Sequence, residues 1–259
     1  MADVLPHLIW IFPLYSFLGW CLEVIYCSVF TGKFVNRGFL NGCICPIYGL
    51  GAGLMILLLT PVKPNLLALF LGALILGSLL ELIGGFLLKH TFHITWWDYA
   101  GRFLNLGGYI CLRNSLMWGA LGVVLLQIVH PFLAYLVLAI PTGLRTGLLV
   151  LFYVYFAVDA AVTLLSALKL KRDLREITRL SALIHKGSDA FAQGLGDSAI
   201  GAAHKITESK AREVVEHLLS NRDSVRLRLF KAFPNMRAQH HNNALHEMKQ
   251  RIKDRVHRK

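Results

Sequence analysis

The sequence predicts an all-α polytopic transmembrane helix bundle of about five spans, two parallel-repeat hairpins plus one further helix, carrying a helical cytoplasmic C-terminal tail. Three observations predict it. Of the 259 residues, 55% are hydrophobic and only 16% are charged, which leaves too little polar surface to clothe a water-soluble domain. Five stretches are apolar over about the 20 residues that a bilayer demands. Finally, a carboxylate set in an apolar run occurs twice, as Leu18-Gly19-Trp20-Cys21-Leu22-Glu23-Val24-Ile25 and as Leu76-Gly77-Ser78-Leu79-Leu80-Glu81-Leu82-Ile83. Leu, Gly, Leu, Glu and the final Ile keep their places.

The spans are expected at 8–30, 44–60, 66–88, 110–129 and 144–168. The first lacks the cationic lead and small-residue cleavage site of a signal peptide, so it reads as a spanning helix. The second opens on Pro46-Ile47-Tyr48-Gly49 and carries a Gly49/Gly53 face suited to close helix packing. Thr60-Pro61-Val62-Lys63-Pro64-Asn65 is a tight turn, its two prolines denying helix continuation. The stretch 132–140, closed by Pro131 and Pro141, is too short to cross and is expected as a re-entrant segment or outer cap, with His130-Pro131 as a turn.

Each copy of the repeat is followed by an Asn/Gly-rich return, 36–49 after the first and 105–119 after the second. Placing the tail inside puts Lys33, Arg37, Lys89, Arg102 and Arg113 in the cytoplasm and leaves Lys63 and Arg145 outside. The Lys/Arg bias therefore predicts a multi-pass protein of the bacterial plasma membrane with its N-terminus outside and its C-terminus cytoplasmic. Both Glu helices then run the same way, so hairpins 8–60 and 66–129 are related by an axis along the membrane normal, and 144–168 has no copy. The expected domains are a bundle, 1–168, and a tail, 169–259.

Nearly all of the net charge of +12 belongs to that tail. Leu174, Ile177, Leu180, Leu183 and Ile184 recur at helical spacing and continue the last span as an amphipathic helix. Small residues over 187–201 break the pattern, and further helices are expected at 206–219 and 243–256, around the segment 227–235. On a membrane protein, the tail's Lys and Arg fit anionic inner-leaflet lipids, at about 1 kcal/mol each near the surface, better than nucleic acid.

Glu23, Glu81 and Asp159 lie at one depth, roughly 10 to 14 Å inside the cytoplasmic boundary at 1.5 Å per residue. Ionisable residues in apolar helices are costly and as a rule face the bundle interior, which makes these three the candidate ligands of a cation, proton or cationic solute. Gly77, Glu81 and Gly85 share one helical stripe, as do Ser16, Trp20, Glu23 and Cys27. Asn36, Arg37, Asp98, Asn105 and Arg113 in or beside the returns are expected to gate that site. Asp98 should pair with Arg37, Arg102 or Arg113. The plainer alternative is that the acids pair with Arg37 and Arg113 and pin the loops to the bundle. Trp96 and Trp97 fit an interfacial aromatic belt.

Other chemistry is not indicated. The five cysteines form no CxxC pair, so no disulfide framework or zinc knuckle is expected. His240-His241, His246 and His257 have no ligand geometry, and neither a P-loop, an HExxH nor a GxSxG is present. No cofactor, metal site or catalytic group is expected.

Taken together, Gly19-Trp20-x-x-Glu23, Asn36-Arg37-Gly38-Phe39-Leu40-x-Gly42, Cys45-Pro46-Ile47-Tyr48-Gly49, Glu81, Trp97-Asp98-Tyr99 and Asn105-x-x-Gly108-x-Ile110-Cys111 carry a resemblance. The chain resembles the family of putative ABC-transporter type IV, or CmpB-like, membrane proteins, over about 8–159. Phe233-Pro234-Asn235 in the tail is similar to that family too, and Cys43 departs from the proline expected there. The resemblance implies a polytopic permease component that borrows a separate ATPase subunit. Since five helices are few for a pathway, a homodimer is expected. Two other readings stay open. One is a membrane-embedded enzyme acting on a lipid headgroup at the inner leaflet, with the acids as general acid/base groups and Arg37 and Arg113 as phosphate clamps. The other is a membrane-anchored scaffold or sensor.

Overall fold

The computed structural model describes residues 4–192, 213, 224–239 and 241–257. Within them the chain is mainly helical: α1 (Val4–Thr31), α2 (Pro46–Leu59), α3 (Leu66–Phe92), α4 (Leu112–Val124), α5 (His130–Ala139), α6 (Thr142–Ala192), α7 (Ser224–Ala232) and α8 (Asn242–His257). Four stretches are long and apolar enough to cross a membrane, Ile9–Thr31, Leu66–Phe92, Leu112–Ala139 and Thr142–Leu180; Pro46–Val62 is apolar but shorter. Large side chains such as Ile25, Val29, Leu57, Ile75, Leu151 and Leu165 stand exposed along these helices, as lipid-facing positions require.

The expected turn at 60–65 is a short 3-10 segment, Thr60–Val62, after which Asn65 accepts a hydrogen bond from the Ala68 N–H and caps α3. Two expectations fail. The stretch 132–140 is not a separate cap, and His130-Pro131 is not a turn. A π-helical segment, Leu125–Val129, joins α4 to α5 and makes one span of Leu112–Ala139. Pro131 cannot donate a backbone hydrogen bond, and a local π turn is a common way for a helix to absorb such a defect and run on. Likewise Gly187 does not end α6, which continues to Ala192, because a mid-helix glycine costs only about 1 kcal/mol. The predicted helix at 206–219 lies outside the described residues, apart from 213.

Helix α1 packs on α2 and α3 on α4, with α2 against α3 between the pairs. One core joins Met55, Leu59, Leu69, Ala73 and Leu126; a second joins Ile11, Tyr15 and Ala52. The largest core lies at the tail end, where Phe92, Ile94 and Trp96 meet Leu170, Leu174 and Ile177 of α6, Leu229 of α7 and Leu245 and Met248 of α8. There β1 (Ile94–Thr95) pairs antiparallel with β2 (Arg237–Ala238), Ile94 opposite Ala238. Both long returns, 32–45 and 93–111, therefore lie at the end of the bundle that carries the tail. Trp96 is 3% exposed and ringed by Phe39, Phe92 and Phe233. It is a core residue of the tail contact, not part of an exposed belt, and Trp97 is tied down by donating its indole N–H to the Tyr109 carbonyl at 3.0 Å.

Candidate functional site

Two parallel sets of contacts surround Glu23 and Glu81. A Cβ on Gly19 would lie 2.2 Å from Cγ of Tyr48, so the glycine lets the Tyr48 ring rest directly on α1. Tyr48 Oη then donates to Glu23 Oε1 at 2.8 Å, one turn further along. In the second hairpin a Cβ on Gly77 would lie 2.5 Å from Cγ of Trp118, and Trp118 Nε1 donates to Glu81 Oε2 at 3.4 Å. Gly19 and Gly77 precede Glu23 and Glu81 by the same four residues, and each aromatic directly precedes a glycine, Gly49 or Gly119. The Tyr48 and Trp118 rings touch, with centroids 5.3 Å apart. Two carboxylates are thus joined through two aromatics in tilted contact.

Each glutamate has its own remaining partners. Glu23 lies 3.5 Å from Arg37 Nε, and Arg37 Nη1 donates to Cys27 Sγ at 3.3 Å. Burial is the largest single influence on the Arg37 guanidinium and pushes it down, but Glu23, Cys27 and Tyr99 together outweigh it and the group is held above its ordinary value. Glu81, only 7% exposed, accepts from Tyr99 Oη at 3.1 Å and Asn114 Nδ2 at 3.2 Å besides Trp118. No cation pairs with it among the described residues. The Tyr99 hydroxyl is pushed well up, first by burial and then by Glu81, so it stays a donor to the carboxylate.

Asp159 belongs to a second cluster. Its carboxylate accepts the backbone N–H groups of Asn41 at 3.0 Å and Gly42 at 2.7 Å, with Thr163 Oγ1 at 3.4 Å. No hydrogen bond or ion pair joins it to either glutamate among the described residues, so the structure does not bring the three acids into one hydrogen-bonded cluster. Asn41 also donates through Nδ2 to Thr163 at 2.9 Å. From the tail, Arg228 grips the same return, donating to Asn41 Oδ1 at 3.0 Å and to the Gly38 and Phe39 carbonyls at 2.6 Å each. Burial lowers Arg228, and Asp159 offsets part of that loss.

The remaining candidates separate. Asn36 accepts the Trp20 indole N–H at 2.8 Å and donates to the Asn41 carbonyl at 2.7 Å, so it shapes the first return. Asp98 pairs with none of the expected arginines. Arg237 of the tail reaches it at 3.2 Å, and its other oxygen accepts from the Ala100 N–H. Asn105 is exposed and folds its own loop by donating to the Ala100 and Arg102 carbonyls. Arg113 is exposed and joins neither acid among the described residues. Sequence reasoning missed Tyr48, Tyr99, Asn114 and Trp118 as ligands of the carboxylates, and missed Arg228. The aromatic-Gly pair closing each return was the available signal for Tyr48 and Trp118.

The grip of Arg228 predicts a measurable effect. Hydrogen bonds to charged donors contribute about 1.5–3 kcal/mol each, so Arg228→Gln should expose the first return, raising amide hydrogen exchange over 36–42 at least tenfold. Arg228→Lys should rescue little, since three acceptors set around a planar fork do not suit a point charge. Unchanged exchange in both variants would mean that the return stands without the tail.

Apolar helices of spanning length, packed round buried carboxylates, define a multi-pass membrane protein. The chain belongs to the family described as putative ABC-transporter type IV, whose profile matches residues 10–164. That match takes in Glu23, Glu81 and Asp159 and stops short of Arg228. No curated protein and no solved structure matches the chain.

Proposed function

We propose that this chain is a transport component of the bacterial plasma membrane, in which Glu81 and Glu23 form the binding site for a cation, a proton or a cationic solute. The observation that carries the reading is Glu81, buried and held by three neutral donors, with no protein cation to balance it among the described residues. An isolated carboxylate is too costly in an apolar bundle to stay charged and unmatched. It must take up a proton or a bound cation, which is the behaviour of a carrier site. Glu23 is already matched by Arg37. Arg37 serves as an exchangeable plug, leaving Glu23 when cargo arrives.

The duplicated hairpins supply the symmetry for this exchange, a reading supported by the parallel Gly19–Tyr48–Glu23 and Gly77–Trp118–Glu81 contacts. The tail and both returns face the cytoplasm, with the N-terminus outside, and the tail's cations lie against anionic inner-leaflet lipid. Asp159 acts from the side, fixing the return that carries Arg37 and Asn36. Asp98, Asn105 and Arg113 line the cytoplasmic approach. As a permease the chain works as a homodimer with a separate ATPase subunit docked on the returns and tail.

The binding step can be tested without that subunit. Trp118 touches Glu81, so titrating the detergent-purified chain with protons, Na+ and K+ should change its tryptophan emission, with Trp118→Phe identifying the responding residue. The response should vanish in Glu81→Gln and shift in Glu23→Gln. Saturable titration in Glu81→Gln equal to wild type would overturn the assignment, as would a wild type that responds to none of the three.

A further inference from the structure

A groove of about 720 Å³ opens at the seam between the membrane part and the tail, and neither Glu23 nor Glu81 lines it. Its size is in the range of small-molecule sites, about 300–1,000 Å³, and its walls mix apolar side chains such as Met236 and Leu245 with charged and amide groups. One wall is a single stripe of α8, Asn242, His246, Lys249 and Gln250, at the three-to-four-residue spacing of a helix face. The opposite wall holds Asp98 from the second return and Arg237 from β2. Two parts of the chain far apart in sequence thus supply its charges.

Those charges do not cancel. Asp98 is the one carboxylate in the lining among the described residues, and Arg237 already satisfies it at 3.2 Å. Arg237 uses one nitrogen there, and its side chain remains 69% exposed, so most of its five N–H donors are open. Lys249 donates to the Pro234 carbonyl at 2.9 Å and the Met236 carbonyl at 3.1 Å, both neutral acceptors. A third ammonium N–H is left over, and no carboxylate pairs with Lys249 among the described residues. Half-buried without an acid, its pKa is pushed down to about 8. The groove therefore holds a fork of open donors and an unmatched ammonium, flanked by the side-chain amides of Asn242 and Gln250. That set suits the oxygens of a phosphate group, which accept from a guanidinium in two-pronged fashion and from an ammonium as a point charge.

We propose that this groove is a binding site for a phosphate-bearing ligand, held by Arg237 and Lys249 between the second return and α8. Lying at the end of the bundle where the spans stop, it is within reach of two sources of that chemistry: the headgroup of an anionic phospholipid and a phosphorylated solute.

The experiment titrates the full chain, purified in a neutral detergent, with short-chain phosphatidic acid below its micellar concentration and separately with glycerol 3-phosphate, reading binding by calorimetry. Saturable binding of both assigns a soluble phosphate-type ligand. Binding of the lipid alone assigns a headgroup. In either case Arg237→Gln, a change at an exposed side chain that leaves β1 and β2 paired, should weaken binding about tenfold or more, the equivalent of one charged hydrogen bond. Lys249→Gln should weaken it as well. Arg175→Gln, which removes one exposed cation of α6 outside the groove, should leave it unchanged. The proposal is overturned if neither probe saturates, if Arg237→Gln binds like wild type, or if Arg175→Gln weakens binding as much as Arg237→Gln does.

Discussion

Arg226→Met should destabilise the docked tail by about 3–5 kcal/mol, the usual cost of leaving half of a buried ion pair behind. Arg226 on α7 and Asp173 on α6 form a direct ion pair, with both side chains 2% exposed. Leu170, Leu174 and Leu229 crowd the same interface. With the guanidinium gone, no cation among the described residues pairs with Asp173, and its desolvation is no longer offset. The double variant Arg226→Met/Asp173→Leu should be more stable than either single one, because an apolar pair of similar volume replaces a buried ion pair at little cost. Thermal unfolding of the detergent-purified chain, read together with hydrogen exchange over 224–238, checks both statements. A single variant within about 1 kcal/mol of wild type would show that the pair is far better hydrated than its burial indicates.

That pair was not legible in the sequence, and the reason is physical. Hydropathy and period identify what a lipid or a core will accept, so the spans around Glu23, Glu81 and Asp159 could be placed closely, as could the turn at Pro61 and Pro64. Partner choice among charges depends on how separate elements meet. Arg37 beside Glu23 was readable because only a short return lies between them. Asp98 finds Arg237, and Asn41 finds Arg228, across most of the chain. Nothing in local spacing favours those over Arg102 or Arg113. Pro131 misled for a different reason: a proline reads as a stop, yet the π turn before it carries the helix through. Trp96 reads as an interfacial tryptophan until α7 and α8 close over it.

What the sequence could not express, one residue makes concrete. Asn41 donates its backbone N–H to Asp159 and its side-chain amide to Thr163, and accepts Arg228 on Oδ1 and Asn36 on its carbonyl. All of its polar groups are used, and they tie α6, the tail and the first return into one joint. Asn36 in turn holds Trp20, on the stripe of α1 that carries Glu23. The tail is thereby linked through Asn41 to Asp159 and, through Asn36, to Trp20 on the helix that bears Glu23.

Gly49→Ala should be the most damaging single methyl in the bundle. The new Cβ would lie 2.2 Å from Ser16 Oγ, 2.7 Å from the Phe12 carbonyl oxygen and 2.8 Å from Phe12 Cδ2. Ser16 is completely buried, and a backbone carbonyl inside α1 cannot swing aside, so α1 and α2 must part. Overpacking of this kind costs typically about 1–3 kcal/mol, occasionally more, against a gain of about 1 kcal/mol from replacing a helical glycine by alanine. Contact with backbone on one side and a fully buried side chain on the other puts Gly49 at the upper end of that range. The displacement also carries Tyr48, the next residue, away from Glu23 Oε1, so the tryptophan response to cation or proton should change along with stability. Gly53→Ala is the control on the same face: its nearest neighbour would be Ile11 Cγ2 at 3.9 Å, ordinary contact, and the variant should be as stable as wild type or slightly more so. If thermal unfolding ranks Gly49→Ala level with Gly53→Ala, then α1 and α2 do not pack as closely as the Ser16–Gly49 approach requires, and the geometry that brings Tyr48 onto Glu23 goes with it.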